Sequence, residues 1–369
     1  MGNINSTIWE IEPHTEAKHA ILRKYLDAWL PIITRWNGRV LYIDGFAGPG
    51  EYVGGKDGSP IIAIKAVLEH HANISSEIIM KFIESDQNRC DFLKNKINNI
   101  QIPTNIKVEC ICKRFDEVLS QIFNFLDEQK ARLAPPFVFI DPFGFTGIPL
   151  NLIKRIMENG KCEILITFMY EEINRFAGDD RLANSLNETF GTDTWRQVDN
   201  ERDPQKRASF LHNIYKDQLV HEAGIKFVQS FKMINKANKI DYFIFFGTNN
   251  TVGLKKMKEA MWNVDESGAF HFSDATYNPM QSILFETMPN FSDLKKIILE
   301  HFSGRVISVQ ELENFIITQT PYRETHYKRQ ILAPMEKAEP PEIEVTSLAP
   351  HRRKGTYPND CIVKFVGHI

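Results

Sequence analysis

An α/β domain with a doubly wound, Rossmann-like sheet that ends in a β-hairpin, followed by a C-terminal winged helix-turn-helix, is the architecture this sequence predicts. Three observations point to it. Short apolar runs alternate with stretches of helical periodicity through most of the chain, the pattern of a parallel sheet with helices on both faces. The first of those runs ends in Asp44-Gly45-Phe46-Ala47-Gly48-Pro49-Gly50, a strand running into a tight ligand-binding turn. After about Pro289 the texture changes to short helices and two strands around a basic tip. The boundaries read from the sequence are 1–288, with an insertion near 171–200 over the active face, and 289–369.

The 369 residues suffice for one large and one small domain, and 43% hydrophobic with 25% charged residues is globular composition. A net charge of -3 confines any nucleic-acid surface to a local patch. Five scattered cysteines fit a reducing cytoplasm better than a disulfide framework. A signal peptide is not expected, because no basic run precedes an apolar core at the start, and no apolar run reaches membrane-spanning length.

Taken in order, Thr15–Leu30 carries Ile21, Leu22, Tyr25, Leu26 and Trp29 at helical spacing, with Thr15 as N-cap. This helix is expected to pack on the sheet, with His14, Thr15 and Lys18 at the mouth of a cofactor site. Strand one is Arg39–Asp44. The glycines of Glu51–Gly58 suggest a mobile flap, and Ser59-Pro60 starts a helix to about His71. His70 and His71 are adjacent and face different ways, so they form no metal pair. Strand two, Ile78–Ile83, ends at Glu84-Ser85-Asp86, where either acid suits ribose hydroxyls. A helix over Arg89–Ile97, strand three over Ile106–Ile111 and a helix over Asp116–Leu126 follow, with Arg114–Asp116 placed to edge an adenine ring. Cys110-x-Cys112 is too close for a zinc pair and reads as core; no metal site is expected.

Strand four, Pro136–Ile140, ends in Asp141-Pro142-Phe143-Gly144-Phe145, and helix Ile148–Met157 precedes strand five, Glu163–Met169. Residues 171–200 read as polar and irregular. A helix over Ser209–Ala223, a hairpin of Lys226–Met233 with Ile240–Phe246, and a helix near Leu254–Trp262 complete the domain. In the second domain, Phe291–Phe302, Val309–Ile317 and Tyr322–Leu332 are the helices, the last stopping at or kinking before Pro334. Ile343–Val345 and Cys361–Phe365 are the strands. The third helix offers Arg323, His326, Lys328 and Arg329 to a groove, and the tip His351-Arg352-Arg353-Lys354 to phosphate. The acids Glu336, Glu339, Glu342 and Glu344 dilute that face, and winged helices also serve as protein joints.

The glycine spacing D-x-F-x-G-x-G is neither the dinucleotide G-x-G-x-x-G nor a Walker loop. With Asp141-Pro142-Phe143-Gly144 ending strand four at the same edge, the pair resembles the two signature sites of class I methyltransferases that use S-adenosylmethionine. The second site is similar to the D-P-P-Y of nucleobase amino-methyltransferases, and closer to the D-P-F-G of tRNA guanine-N2 dimethyltransferases. Over nearly its full length the chain also resembles the three-Cys-motif partner family of bacterial proteins. Thr15–Lys18, Tyr42–Gly50, Gly58–Pro60, Phe139–Gly144 and Met257–Trp262 carry that resemblance.

The resemblance of the two signature sites implies an S-adenosylmethionine-dependent enzyme that methylates an exocyclic amino group of a base in DNA or RNA; the three-Cys-motif partner resemblance implies a methyltransferase-like protein associated with a second protein carrying three clustered cysteines, and the cysteine usage points to the cytoplasm. Asp44, Gly45, Phe46, Ala47, Gly48, Gly50, Glu84, Asp86, Thr15 and Lys18 are expected on the cofactor. Asp141, Pro142, Phe143 and Gly144 are expected at the amine, with Phe143 or Phe145 stacking on the base. Arg323, Lys328, Arg329, Arg352, Arg353 and Lys354 are expected on nucleic acid. Gly144 stands where D-P-P-Y has its aromatic, which leaves adenine against guanine open. Two rivals remain: a catalytically silent protein of the same fold that partners or regulates a three-cysteine protein, and a nicotinamide-linked oxidoreductase, against which the glycine spacing and the hairpin count.

Overall fold

The computed structural model describes residues 6–276, 289–347 and 352–366. It divides the chain into a unit of Met1–Ala260 with His271–Pro279, and a unit of Met261–Phe270 with Met280–Ile369. In the first, α1 (Pro13–Thr34), β1 (Arg39–Asp44), α2 (Ser59–Leu68), β2 (Glu77–Ile83), α3 (Gln87–Asn98), β3 (Ile106–Ile111), α4 (Phe115–Glu128), β4 (Pro136–Ile140), α5 (Leu150–Met157) and β5 (Glu163–Phe168) alternate. Then come α6 (Tyr170–Phe176), α7 (Ala183–Phe190), α8 (Pro204–His221), β6 (Phe227–Ile234), β7 (Ile240–Thr248), α9 (Thr251–Trp262) and β8 (His271–Ser273).

The strands form one sheet in the order β3-β2-β1-β4-β5-β7-β6-β8. β1 to β5 run parallel, and β7 is antiparallel to both β5 and β6. Every residue of β4 and β5 is buried, as near-continuous apolar runs covered on both faces must be. The strand order reverses direction between β1 and β4. Their carboxyl ends therefore flank the switch point at which open α/β sheets take ligands.

The sequence expectation fails in identifiable places. Residues 171–200 are helical, not irregular: α6, α7 and two short 3₁₀ turns bury Ile173, Leu186, Phe190, Trp195 and Val198 against β5 and α8. Phe168 stacks on Tyr215 at 4.6 Å, and Phe190 meets both edge-on. The apolar positions are too widely spaced among acids and glycines to show a period. β8 is a three-residue strand beside β6, too short to carry an alternation. α1 starts at Pro13 with Glu12 before it, so Thr15 is inside the first turn and caps nothing. Glu51–Gly58 is a closed turn bridged between Glu51 and Asp57, not an open flap.

α2 stops at Leu68, which leaves His70 outside it. There it serves α1. Pro31 lies inside that helix and has no N–H for the carbonyl of Asp27 four residues back. The Nε2–H of His70 donates to this carbonyl at 2.9 Å, while its Nδ1 accepts from the Ala72 N–H at 3.0 Å.

The structure joins Cys90 to Cys112, against the expectation of free thiols throughout. The residues are 22 apart in sequence but adjacent where α3 covers β3. Cys110 is half-buried, and Cys162 and Cys361 are buried.

The second unit contains α10 (Phe291–Phe302), β9 (Val306–Ser308), α11 (Val309–Gln319), α12 (Ala333–Lys337), β10 (Ile343–Thr346) and β11 (Ile362–Phe365). Its sheet runs β10-β11-β9, antiparallel throughout, as in a winged helix-turn-helix. Asn290 and Ser308 cap α10 and α11 with their side chains. The third helix neither begins at Tyr322 nor ends before Pro334. It starts at His326 and continues to Lys337. A wide turn over Lys328–Leu332, in which the Ala333 N–H reaches back to the Lys328 carbonyl, precedes the proline and absorbs its missing donor. No helix among the described residues is long and apolar enough to cross a membrane.

Candidate active site

Asp44 closes β1 at the centre of the sheet and is fully buried. The turn after it is held by its neighbours: the Gly45 N–H donates to the Phe139 carbonyl at 2.8 Å, and the Ala47 N–H to Ile83 at 2.9 Å. Gly48 has φ +61°, in the left-handed region. Gly58 passes so near that a Cβ there would lie 2.9 Å from the Gly50 backbone. The loop between them therefore returns onto the glycine turn, and Ser59 at the head of α2 comes with it.

One oxygen of Asp44 accepts from the Phe46 N–H at 3.3 Å, and Oδ2 is buried with no hydrogen-bond partner. Burial pushes the Asp44 carboxyl up to about 7, with Ser59 opposing and the charge of Asp141 adding. Glu84, at the end of β2, accepts from the Gly48 N–H at 2.9 Å and the Asp86 N–H at 2.8 Å. Asp86 is a different matter. Its side chain caps α3 by accepting from the Arg89 N–H, whereas Glu84 faces the glycine turn. Phe115 is likewise no ligand edge: it is buried, and its ring lies 2.6 Å from where a Gly45 Cβ would be. Arg114 pairs with Asp116.

Asp141 follows β4, the neighbour of β1. Lys18 Nζ sits 2.6 Å from its Oδ1, with both side chains largely buried, and 4.8 Å above the Tyr242 ring. Lys18 thus faces the Asp141 carboxylate. His19, next in α1, is pushed down to about 3 by burial and then by the Lys18 charge. Thr15 faces the Tyr242 hydroxyl. His14 turns away to Asp274, 2.7 Å from its Nδ1. Phe143 is 66% exposed, whereas Phe145 is core and cannot stack on a base. Gly144 has φ +141°, which gives a backbone reason for glycine where D-P-P-Y carries an aromatic. The Thr189 hydroxyl donates to the Phe145 carbonyl at 2.8 Å, so α7 buttresses this turn.

The two turns share one hollow of about 30 Å³, bounded by Phe46–Gly50, Tyr52, Ser59, Asp141 and Phe143. That is room for about one water. Trp9, before α1, roofs it. Its ring meets Phe143 at 5.2 Å and Tyr52 at 5.7 Å edge-on, the Arg89 guanidinium lies 5.1 Å from it, and its carbonyl accepts from the Val53 N–H. Trp9 was not legible as a site residue. Nothing in its local sequence distinguishes it from an ordinary packing aromatic.

In the winged unit, Arg353 and Lys354 are exposed and Arg329 is exposed on the third helix. Arg352 is not available to phosphate. It is ion-paired with Glu336, which also accepts from the Gly355 N–H and the Tyr357 hydroxyl. Lys328 lies 3.7 Å from Glu313, and Arg323 is half-buried. His351 falls outside the described residues. No cluster of metal-ligating side chains occurs among the described residues.

Residues 272–339 match a family model described as a GMT-like wHTH domain. No curated protein matches the chain. Several solved structures are similar. Trm1 from Pyrococcus horikoshii, in complex with S-adenosyl-L-methionine, is 10% identical with a TM-score of 0.38 over 67% of this chain and 57% of that one. A putative methyltransferase from Porphyromonas gingivalis W83 is 11% identical with a TM-score of 0.30, over 63% and 40%. Human methyltransferase-like protein 13, in complex with SAH, is 10% identical with a TM-score of 0.35, over 76% and 99%. The chain thus spans 57% of the first and 40% of the second. These likenesses concern the fold alone.

Proposed function

We propose that the chain is an S-adenosylmethionine-dependent methyltransferase acting on an exocyclic amino group of a nucleobase in DNA or RNA. One observation carries the reading: Phe46–Gly50, from the turn after Asp44, and Asp141 with Phe143 border the same hollow at the switch point of the sheet. The donor set suits the cofactor. The bare buried oxygen of Asp44 calls for a cationic N–H, which an aminium supplies. Glu84 keeps a lone pair on each oxygen for ribose hydroxyls while its backbone bonds hold the turn. When bound, the cofactor supplies an electrophilic sulfonium methyl.

The residues of the chain do the rest by position. An exocyclic amine is a poor nucleophile because its lone pair is delocalised into the ring. Asp141 accepts one N–H and the Pro142 carbonyl the other, drawing the nitrogen towards sp³ geometry. Lys18 occupies Asp141 Oδ1 and so leaves Oδ2 to face the amine. Phe143, exposed beside Trp9, offers a face for the base, worth about 1–3 kcal/mol by the usual stacking figure. A base in a duplex is first flipped out, at a cost of a few kcal/mol. The winged helix holds the polymer.

Mass spectrometry of nucleosides, after incubating cellular DNA and RNA with the protein and methyl-labelled cofactor, tests the reading. Label on an amino nitrogen of one base supports it. Cofactor binding with no labelled nucleoside overturns it in favour of the second reading, a silent protein that partners a three-cysteine protein. The small hollow and the already paired Asp141 are what favour that alternative.

Two further outcomes are expected. Trp9→Ala tightens S-adenosylmethionine binding in calorimetry, by about tenfold for a roof that is closed in about nine molecules of ten. Weaker binding in the variant would make Trp9 a wall of the site instead. Replacing Arg353 and Lys354 by alanine lowers the slope of log K against log salt for DNA binding by about 2. An unchanged slope would turn the wing into a protein joint. Arg352→Ala belongs to another class: it strips Glu336 of its partner and destabilises the wing itself.

A further inference from the structure

The opposite rim of the sheet carries a second cavity. Glu163 opens β5, so its side chain lies at the amino ends of the parallel strands, whereas Asp44 and Asp141 lie at the carboxyl ends. It faces a space of about 330 Å³, within the usual range for small-molecule sites of roughly 300–1,000 Å³. One wall is the last half of α1, with Tyr25, Trp29 and Ile32 at helical spacing, continued by Trp36 in the turn just beyond the helix. The other is the first turn of α9. There Gly253 comes so close that a Cβ would lie 1.9 Å from Glu163 Oε1, so the helix approaches the carboxylate only because this position has no side chain.

Glu163 is buried, yet its two hydrogen-bond partners are neutral. The Tyr25 hydroxyl donates to Oε2 at 2.5 Å and the Thr248 hydroxyl to Oε1 at 2.9 Å. No lysine, arginine or histidine among the described residues pairs with it. Lys161 and Lys256 line the cavity but are engaged elsewhere, Lys161 on Asn37 at 2.9 Å and Lys256 on Glu259 at 2.8 Å. Burial pushes the Glu163 carboxyl up to about 7, and only the two hydroxyls oppose it. A buried carboxylate is ordinarily compensated by a cation. Two indoles stand beside this one, and the face of an indole attracts cations more strongly than any other side-chain ring.

We propose that this cavity is a binding site for a small organic ammonium ion carried on an apolar or aromatic body, with the Glu163 carboxylate as counter-ion and Trp29 and Trp36 as its walls. An uncharged ligand of the same shape fills the apolar walls but leaves the acid uncompensated. An anion meets it as a like charge. The ammonium answers both the acid and the aromatic walls. The site is independent of the reaction proposed above and stands or falls without it.

The test uses the full chain at about pH 8, above the Glu163 titration near 7. Phenethylammonium chloride, 2-phenylethanol and phenylacetate share a skeleton and differ in charge, and calorimetry ranks them. The ammonium binds at least about tenfold more tightly than the alcohol, and phenylacetate gives no heat. Glu163→Gln removes the preference for the ammonium over the alcohol. Trp36→Ala, at a residue 76% exposed on the rim, leaves Tm unchanged and weakens the ammonium at least about threefold. Equal binding of ammonium and alcohol, a preference that survives Glu163→Gln, or no heat from the ammonium at millimolar concentration overturns the proposal. Should Glu163→Gln fail to fold, wild-type affinity in Trp36→Ala overturns it alone.

Discussion

Asp141→Ala is expected to lower methyl transfer by about 10²–10³-fold, the usual loss when one preorganised group is removed from a developing charge. The dissociation constant for S-adenosylmethionine should stay within about twofold, because the contacts proposed for the cofactor come from the turns after β1 and β2. Single-turnover assays and calorimetry on the same preparation separate the two quantities. Alanine has a side effect to be controlled for. It leaves Lys18, largely buried, without its carboxylate, and breaking a buried pair costs about 3–5 kcal/mol where both partners are fully dry. Asp141 is partly exposed, so the loss here is smaller. Asp141→Asn keeps an oxygen for Lys18 and an acceptor for the amine, and should recover stability and part of the rate. Equal losses of rate and cofactor affinity in both variants would remove Asp141 from the chemistry.

The second large effect is in the pH dependence of stability. Asp44 titrates near 7 in the folded protein and near 3.8 when unfolded. The folded state holds the proton more tightly, so this group's contribution is fully present below about pH 4 and is lost as pH rises through about 7. The span is on the order of 4 kcal/mol at 1.36 kcal/mol per pH unit. Glu163, raised to about 7 from 4.5, acts in the same direction and window. His19, held at about 3 in the folded protein against 6.5 unfolded, acts in the opposite direction across the same window, so the two acids are read by difference from wild type in denaturant melts between about pH 4 and 7. Relative to wild type, Asp44→Asn should remove a loss of stability on the order of 4 kcal/mol between about pH 4 and 7 and abolish S-adenosylmethionine binding, whereas Glu163→Gln removes the share of Glu163 and leaves that binding intact. A profile of Asp44→Asn parallel to that of wild type would show that Asp44 is ionised at low pH and that its bare oxygen has found a donor.

The parts of the fold that were legible in the sequence are those where a single physical cause dominates. Val40–Ile43 and Phe137–Ile140 are buried on both faces, and only a central parallel strand needs such runs. The turns that close them announced themselves through glycine and proline, whose backbone demands no other residue meets. What was not legible depends on partners far away in sequence. Trp195 is core because it stacks on Phe190, which in turn packs edge-on against Phe168 and Tyr215 from β5 and α8. Phe143 and Phe145 read alike, and only the packing of α7 decides that one is exposed and the other core. Arg352 looked like its exposed neighbours, yet Glu336, sixteen residues earlier, takes it out of the basic patch. The Lys18–Asp141 pair joins residues 123 apart. No local pattern encodes such a contact.

The proline inside α1 has a consequence for both cavities. That helix delivers Lys18 to the carboxyl rim and Trp29 to the amino rim, and its ladder is interrupted once between Asp27 and Pro31. The interruption is filled from outside by His70, in a tautomer dictated by its two bonds: proton on Nε2, lone pair on Nδ1. A single imidazole that touches neither cavity thus acts as the splint across the one weak joint of the rod between them, and the relative setting of the two rims is answerable to it.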